Sequence, residues 1–242
     1  MSALPSDARP TRRDRLRSAT LREITEAGRA QLRTVGPQGL TLSAVARELG
    51  MTAPALYRYV DGVDGLLTLL IAEGYADLSD HVERARDEVA ADDPGGRFDA
   101  AAHALRTWAL GDRAQFGLLF GSPLPGYRAP EDGPTTVGAH RAAGVVWQVL
   151  LEAHSAGRLG APLVTEVAAD ALPMLEDSHS GALLALPVET RAAGWVALSL
   201  LLGAVAVEVF GHMPACSGPT ARAVFEAKVQ VARCVVGLPA PR

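Results

Sequence analysis

Apolar residues recur along most of the chain at helical spacing, and Gly and Pro interrupt them at intervals. The alternation typical of strands is weak throughout. A first helix is predicted around 21–35, because Leu21, Ile24 and Leu32 share one face and Gly36-Pro37 follows. The pattern predicts an all-α fold with further helices at about 42–49, 52–60, 63–91, 97–112, 113–120, 135–157, 163–178, 187–213 and 218–237, and a loop at 121–134.

The two ends of the chain differ in charge. The first 60 residues hold ten arginines and five acids, a net charge of +5, whereas the remaining 182 residues carry −9. A basic head on an acidic body is typical of a protein whose head meets a polyanion, although a solvated basic tail has the same composition. The apolar content of 48% argues against wholesale disorder.

A helix-turn-helix is predicted at 39–60, which reads GLTLSAVARELGMTAPALYRYV. Thr41 is placed to cap a short helix, and Gly50 supplies the positive φ that ends it. Thr52 is placed to cap a second helix with Pro54 in its first turn, where a missing N–H costs nothing. The second helix of such a motif enters the major groove of DNA. The alternative interpretation is an ordinary helical hairpin.

The side chains expected to face outward divide by the chemistry they offer. Hydroxyls suited to phosphate oxygens come from Thr41, Ser43 and Tyr57. Contacts to base edges, including thymine methyls, are expected from Thr52, Ala53, Ala55 and Tyr59. Arg58 suits either a phosphate or a guanine, and arginines 12, 13, 15 and 17 suit phosphates or the minor groove.

The segment 39–67, GLTLSAVARELGMTAPALYRYVDGVDGLL, resembles the N-terminal domain of the TetR/AcrR family of transcriptional regulators. The resemblance lies in the spacing and in the LYRY block at 56–59, and it covers 14–70. It implies an N-terminal arm and DNA-binding head at 1–62 and a helical ligand-binding and dimerisation domain at 63–242. Members usually have a lysine or arginine where Val63 stands, so one phosphate contact per subunit is missing here.

The resemblance also implies how the protein works. A homodimer of nine or ten helices per chain binds palindromic operator DNA and is released by a small-molecule effector, and repression is the family habit. Dimers form through the last two long helices, here about 187–213 and 218–237. FGLLFGSPLPGY (116–127) and GWVALSLLLGAVAVEVFGHM (194–213) resemble a subgroup with a Trp and His-Gly motif in its C-terminal domain.

Aromatic and imidazole side chains recur in the body and suggest a largely apolar effector pocket. His140, Trp147 and His154 recur every seven residues and share a helix face, so they form the preferred pocket wall, with Trp108 and Phe120 as further candidates. The alternative is that the Trp and Phe side chains are simply core. A second expectation concerns Glu208, which needs a partner if it is buried in its apolar helix. His212, one turn later, is the expected partner.

The sequence favours no catalytic, metal or cofactor site. Ser122 and Ser155 lack a nucleophile-elbow context, and the histidines lack a third ligand at metal-binding spacing. No glycine-rich loop of the phosphate-binding kind precedes a helix. We therefore expect a protein that is not an enzyme and that needs neither metal nor cofactor.

A cytoplasmic protein without a membrane span is expected. The first 20 residues lack the apolar stretch of a signal peptide, and the longest uncharged run, 192–207, is shorter than the ~20 residues of a span. Cys216 and Cys234 have no paired spacing, which fits a reducing compartment. The alternative function is a small-molecule carrier of TetR-like fold that has lost DNA binding, for which Val63 is the support.

Overall fold

A computed structural model describes residues 11–176, 181–212 and 218–242, and among these residues it contains helices and no strands. Short 3₁₀ turns lie at Pro37–Gly39, Ala169–Ala171 and Gly181–Ala185. The α-helices are α1 (Arg12–Val35), α2 (Leu42–Glu48), α3 (Ala53–Leu56), α4 (Gly62–Asp87), α5 (Pro94–Gly111), α6 (Arg113–Phe120), α7 (Pro134–Ser155), α8 (Leu172–Glu176), α9 (Val188–Val209) and α10 (Gly218–Val235). The predicted all-α class is confirmed.

The head has its own apolar core, built by α1, α2, α3 and the first half of α4. Ile24, Val45 and Leu56 are fully buried in it. Leu66 and Leu70 of α4 are fully buried in the same core. Leu118 of α6 also belongs to this core. The packing boundary between head and body therefore lies inside α4, several residues after position 62.

The body buries a second and larger core. It is formed by the second half of α4 together with α5, α6, α7, α9 and α10. α4 packs along both α5 and α7, and α9 packs along α10. α4 therefore contributes residues to both cores.

One helix prediction is wrong, and another is too long, because α3 covers only Ala53–Leu56 of the helix expected at 52–60. Of the helix expected at 163–178, the described residues contain a 3₁₀ turn at Ala169–Ala171 and the short α8. The first residue of the segment makes a hydrogen bond to the end of α10 instead, because the Leu163 amide donates to the Val235 carbonyl at 2.9 Å. Just before the segment, the Gly160 amide donates to the Gly237 carbonyl at 2.8 Å. The backbone amide of Leu163 therefore bonds to the end of α10 rather than within a helix. Residues 177 and 178 lie outside the described residues.

The prediction that His212 is the partner of Glu208 is also wrong. Arg106 of α5 binds its carboxylate with both Nε and Nη2, at 2.7 and 2.6 Å, and both side chains are about 15% exposed. α9 ends at Val209 and Gly211 adopts φ +70°, so His212 leaves the helix beyond Phe210, whose ring it contacts. The acid is matched by a neighbouring helix, which sequence spacing does not reveal.

α9 is unusually apolar for a helix with an open face. By length and composition alone it is able to cross a membrane, and 39% of its most apolar stretch is buried within the chain. Trp195 and Val196 remain 42% and 47% exposed. Of the two cysteines, Cys234 is free and exposed, and Cys216 lies outside the described residues.

Candidate functional site

The predicted helix-turn-helix is present, and local chemistry sets its turn. The Thr41 hydroxyl accepts from the Ala44 amide at 3.3 Å and caps α2. Gly50 has φ +62°, a conformation that costs a side chain-bearing residue more, and it turns the chain into α3. Thr52 stands at the N-cap of α3, but its side chain makes no capping hydrogen bond there. Its predicted capping role is therefore wrong.

α3 and the residues that flank it have one side buried in the head core and one side exposed to solvent. Leu56 is fully buried and Val60 is 3% exposed, so both anchor the segment 52–60, which we call the recognition segment. Thr52, Tyr57 and Arg58 are exposed on the opposite side. The apolar anchors thus leave a hydroxyl, a phenol and a guanidinium facing outward.

The remaining predicted DNA contacts differ in exposure. Thr41 and Ser43 are exposed at the start of α2, and Ala53 and Ala55 are half-buried. Tyr59 packs partly against the head core, and the Arg17 guanidinium lies 5.5 Å from its ring centre. Within the recognition segment, Tyr59 therefore faces Arg17 of α1 and the head core, whereas the sequence predicted that it contacts base edges.

A basic groove lies where α1 meets the recognition segment. Its lining consists of Arg12, Arg13, Leu16, Arg17, Arg58 and Tyr59. Arg17 also donates to the Arg58 carbonyl at 3.4 Å, which ties the two elements together. Val63 packs partly against the head core, as its apolar side chain requires.

A second candidate site is a cavity of about 170 Å³ in the body, between α4, α5, α7 and α9. Its lining is mostly Ala, Val and Leu, and no charged side chain belongs to it. The two hydroxyl-bearing residues in the lining are Tyr75 and Ser199. Burial raises the pKa of the Tyr75 hydroxyl, so this group remains a neutral hydrogen-bond donor at physiological pH.

Phe120 is the one predicted effector contact that lines this cavity. Trp108 is buried away from the lining and donates its indole N–H to Asp77 at 3.0 Å. Trp147 is buried where α7 crosses α9, and a side chain at Gly194 would meet its ring. His140 and His154 are exposed on α7. The predicted wall of His140, Trp147 and His154 is therefore corrected.

The α7 wall is made by a different helix face, with Ala139, Ala142, Ala143, Val145 and Val146. The physical reason is volume, because large rings fill interior space whereas small side chains leave it open. Alanines of α5 face the cavity as well. The alanine-rich runs of the two helices were the available signal, and sequence reasoning passed over them.

α6 joins the cavity to the head. At its start, the Asp112 carboxylate accepts from the Gln115 amide at 3.1 Å and from Arg33 of α1 at 2.6 Å. In its middle, the buried Gln115 side chain donates to the Leu70 carbonyl of α4 at 2.8 Å. At its end, Phe120 meets Tyr75 edge-to-face with ring centres 5.8 Å apart. A molecule bound in the cavity would therefore contact Phe120 of α6. The N-cap residue of the same helix, Asp112, binds Arg33 of α1.

Two further contacts connect the parts. Asp77 of α4 accepts from Arg29 of α1 at 3.4 Å, in addition to the Trp108 indole. In the 121–134 loop, the Tyr127 hydroxyl lies 3.1 Å from the Thr68 hydroxyl, and the Tyr127 ring packs against the head core. No group of three potential metal ligands is found within 11–176, 181–212 and 218–242.

Comparison with known proteins gives two family matches. Residues 24–70 match the model described as bacterial regulatory proteins, tetR family. Residues 98–232 match the model described as the tetracyclin repressor-like C-terminal domain. The first match covers the recognition segment, and the second covers most of the residues that line the cavity.

Relatives and solved structures agree with these matches. The HTH-type transcriptional regulator Rv1816 of Mycobacterium tuberculosis (strain ATCC 25618 / H37Rv) is 37% identical over 212 residues, covering 86% of this chain and 88% of the relative. The crystal structure of SCO4313 superposes with a TM-score of 0.68 at 32% identity, covering 92% and 98%. A Rhodococcus sp. RHA1 protein shares the fold, with a TM-score of 0.64 at 22% identity, covering 88% and 93%. The chain therefore belongs to the TetR family of bacterial transcriptional regulators, which are DNA-binding proteins and not enzymes.

Proposed function

We propose that this protein is a ligand-responsive repressor that binds palindromic operator DNA as a homodimer in the cytoplasm. The observation that carries the proposal is the outward presentation of Thr52, Tyr57 and Arg58 above buried Leu56 and Val60. A short helix anchored on one side and polar on the other suits insertion into the major groove.

The contacts divide by role. Phosphate oxygens are met by the hydroxyls of Thr41, Ser43 and Tyr57, which set the register of the protein on the duplex. Base edges are met by Thr52, Ala53 and Ala55, and Arg58 binds a phosphate or a guanine. Tyr59 contributes to the wall of the basic groove.

Dimerisation is supported by the outward faces of α9 and α10. On α9, Trp195 and Val196 are exposed, and on α10 Ala227 and Val231, four residues apart, are exposed as well. A second copy packed on these faces buries apolar surface that a monomer leaves in water. It also gives the two-fold symmetry of a palindrome, with recognition helices about 34–36 Å apart.

The effector occupies the cavity and is largely apolar and uncharged. No lining residue offers a counter-charge, so an ionised ligand would lose its hydration without compensation. A cavity of about 170 Å³ suits a small aromatic molecule. Tyr75 and Ser199 are the available hydrogen-bonding partners.

Release from DNA follows from the position of α4 and α6. A ligand that pushes on Phe120 and Tyr75 displaces the helix whose N-cap, Asp112, holds Arg33 of α1. The ligand shifts the population only by its differential affinity for the two head arrangements, typically about 1–3 kcal/mol of coupling. α4 carries the change because it belongs to both cores.

A gel-shift assay on DNA flanking the gene tests the reading head. Tyr57→Ala and Arg58→Ala are expected to abolish retardation while the dimer stays intact in size-exclusion chromatography. The control is Arg158→Ala, which removes an exposed guanidinium from the body without touching the recognition segment. Full retardation by both head variants refutes the assignment. Failure of the unaltered protein to retain any DNA favours the carrier alternative instead.

The cavity is tested with a neutral and a charged molecule that share one aromatic ring system. Calorimetry is expected to detect 2-naphthol binding and no binding of 2-naphthoate. Ala142→Phe fills the cavity and removes 2-naphthol binding, whereas Ala156→Phe, an exposed position just after the end of α7, leaves it unchanged. Equal binding of the two molecules, or binding by the filled variant, contradicts the assignment.

A further inference from the structure

The cavity in the body reaches the surface on the outer side of α9. Among the described residues that line it, only Trp195 and Ser199 are exposed, and both belong to α9. The other lining residues are buried or half-buried. We propose that a second copy of this chain covers this mouth, so that the partner subunit completes the effector site. The proposal rests on the proposed function, because it needs both the homodimer and the effector cavity.

The edge of the mouth is held in place from the inside. The Trp195 ring packs edge-to-face against the Trp147 ring, with ring centres 5.8 Å apart. Trp147 is only 6% exposed, whereas 42% of Trp195 is open to solvent. A large aromatic side chain that is anchored on one side and exposed on the other is typical of a residue that carries binding energy in a protein interface.

The same face of α9 continues beyond the mouth with small residues. Ser199 and Gly203 follow Trp195 at intervals of four residues, so the three positions lie on successive turns of one face. Gly203 is exposed, and a side chain placed there would meet no atom within 4 Å. A helix from outside can therefore approach α9 closely at Ser199 and Gly203, which brings it over the mouth.

The absence of charge on this face fits a second copy of the chain as the occupant. A two-fold interface brings each face against the same face of the partner, so charges on it would meet like charges. The stretch 192–207 of α9 carries no charged side chain. Only 39% of the most apolar stretch of α9 is buried within the chain. Packing this face on itself removes apolar surface from water, and by symmetry one contact covers both mouths.

A site completed by the partner links effector binding to dimerisation. A ligand that binds the dimer more tightly than the monomer must stabilise the dimer in return. 2-Naphthol is therefore expected to lower the dissociation constant of the dimer, measured by sedimentation velocity. An unchanged dissociation constant, with 2-naphthol bound, would contradict the shared site.

Acrylamide quenching of tryptophan fluorescence tests the cover in the unaltered protein without ligand. Trp108 and Trp147 are 7% and 6% exposed, so Trp195 is the indole that a quencher reaches in a single chain. In the dimer we expect quenching no greater than in Trp195→Phe, which retains an aromatic ring at the mouth. Quenching that clearly exceeds that of Trp195→Phe would show an open mouth and overturn the proposal.

Calorimetry with 2-naphthol tests whether the cavity needs the partner. Ala227→Glu/Val231→Glu places acids on the exposed side of α10, and none of the described residues of α10 lines the cavity. We expect a monomer with native circular dichroism that binds 2-naphthol at least about 5-fold more weakly. Ala156→Glu, an exposed position just after α7, should keep both the dimer and the affinity. The quenching test decides the matter if the double variant does not fold.

The outcomes separate the shared site from the proposed function. A folded monomeric variant that binds 2-naphthol as tightly as the unaltered dimer rejects the shared site and leaves the dimer and the cavity standing. An unaltered protein that stays monomeric, or that binds no 2-naphthol, rejects the proposed dimer or the proposed effector cavity, and the shared site with it.

Discussion

The head and the body each bury one apolar core, but they place their polar groups differently. In the head, Tyr57 and Arg58 stand outside a core that is almost purely aliphatic. In the body, the paired side chains of Arg106 and Glu208 lie largely inside, close to the core ring of Phe225. Outer head residues should therefore alter binding at little cost in stability, whereas interior body residues should alter stability first.

The largest expected effect comes from breaking the polar pair in the body. Glu208→Leu leaves the Arg106 guanidinium without its partner in a site only about 15% exposed. We expect the free energy of unfolding, measured with urea, to fall by about 3 kcal/mol, since both groups keep some access to water. Arg106→Met/Glu208→Leu removes both charges and should recover most of the loss. If Glu208→Leu is as stable as the unaltered protein, interior polar residues of the body do not contribute to stability as proposed.

A smaller effect distinguishes the two threonines of the head. Thr41→Ala removes the hydroxyl that caps α2 and should cost about 1 kcal/mol of stability. Thr52→Ala should change stability by less than about 0.5 kcal/mol, because the Thr52 side chain makes no capping bond. Thr52→Ala should nevertheless weaken operator binding in anisotropy. Equal losses of stability in both variants would contradict the finding that Thr41 caps its helix and Thr52 does not.

The smallest effect lies at the junction of head and body. Burial is the main reason that the pKa of Glu73 is raised, with Asp77 and Glu26 adding to it and Arg29 opposing it. An acid whose folded pKa is raised destabilises the fold once it ionises. Glu73→Gln should therefore raise the Tm modestly at pH 7, and this advantage should shrink towards zero as pH falls below about 4. An advantage that stays constant with pH would assign the effect to packing.

The sequence predicted the head better than the body. The reason is that the head depends mainly on local signals, whereas the site in the body depends on contacts between distant residues. The turn in the head could be predicted, because a cap at Thr41 and a positive φ at Gly50 are local signals, although the cap predicted at Thr52 does not form. Anchoring by Leu56 and Val60 follows from helical spacing. What local signals did not reveal is that Tyr59 lies under Arg17, since that contact joins residues 42 apart in the chain.

The body was predicted as a set of helices, but its site was not. A cavity is the space that neighbouring helices leave unfilled, so Ala142 and Ala143 matter for what they lack. Trp108 and Trp147 were predicted to contact the effector because of their large rings, but both belong to the body core. The same non-local packing gave Glu208 its partner on α5 and tied residue 163 to the end of α10.

The central claim is that two recognition segments, held by one dimer, enter successive major grooves of a single duplex. Hydroxyl-radical footprinting of the unaltered protein on the DNA flanking its gene tests this most directly. We predict two protected half-sites related by a palindrome, with centres about one helical turn apart on one face of the duplex. Protection of a single half-site, or no protection at low salt, would contradict the account.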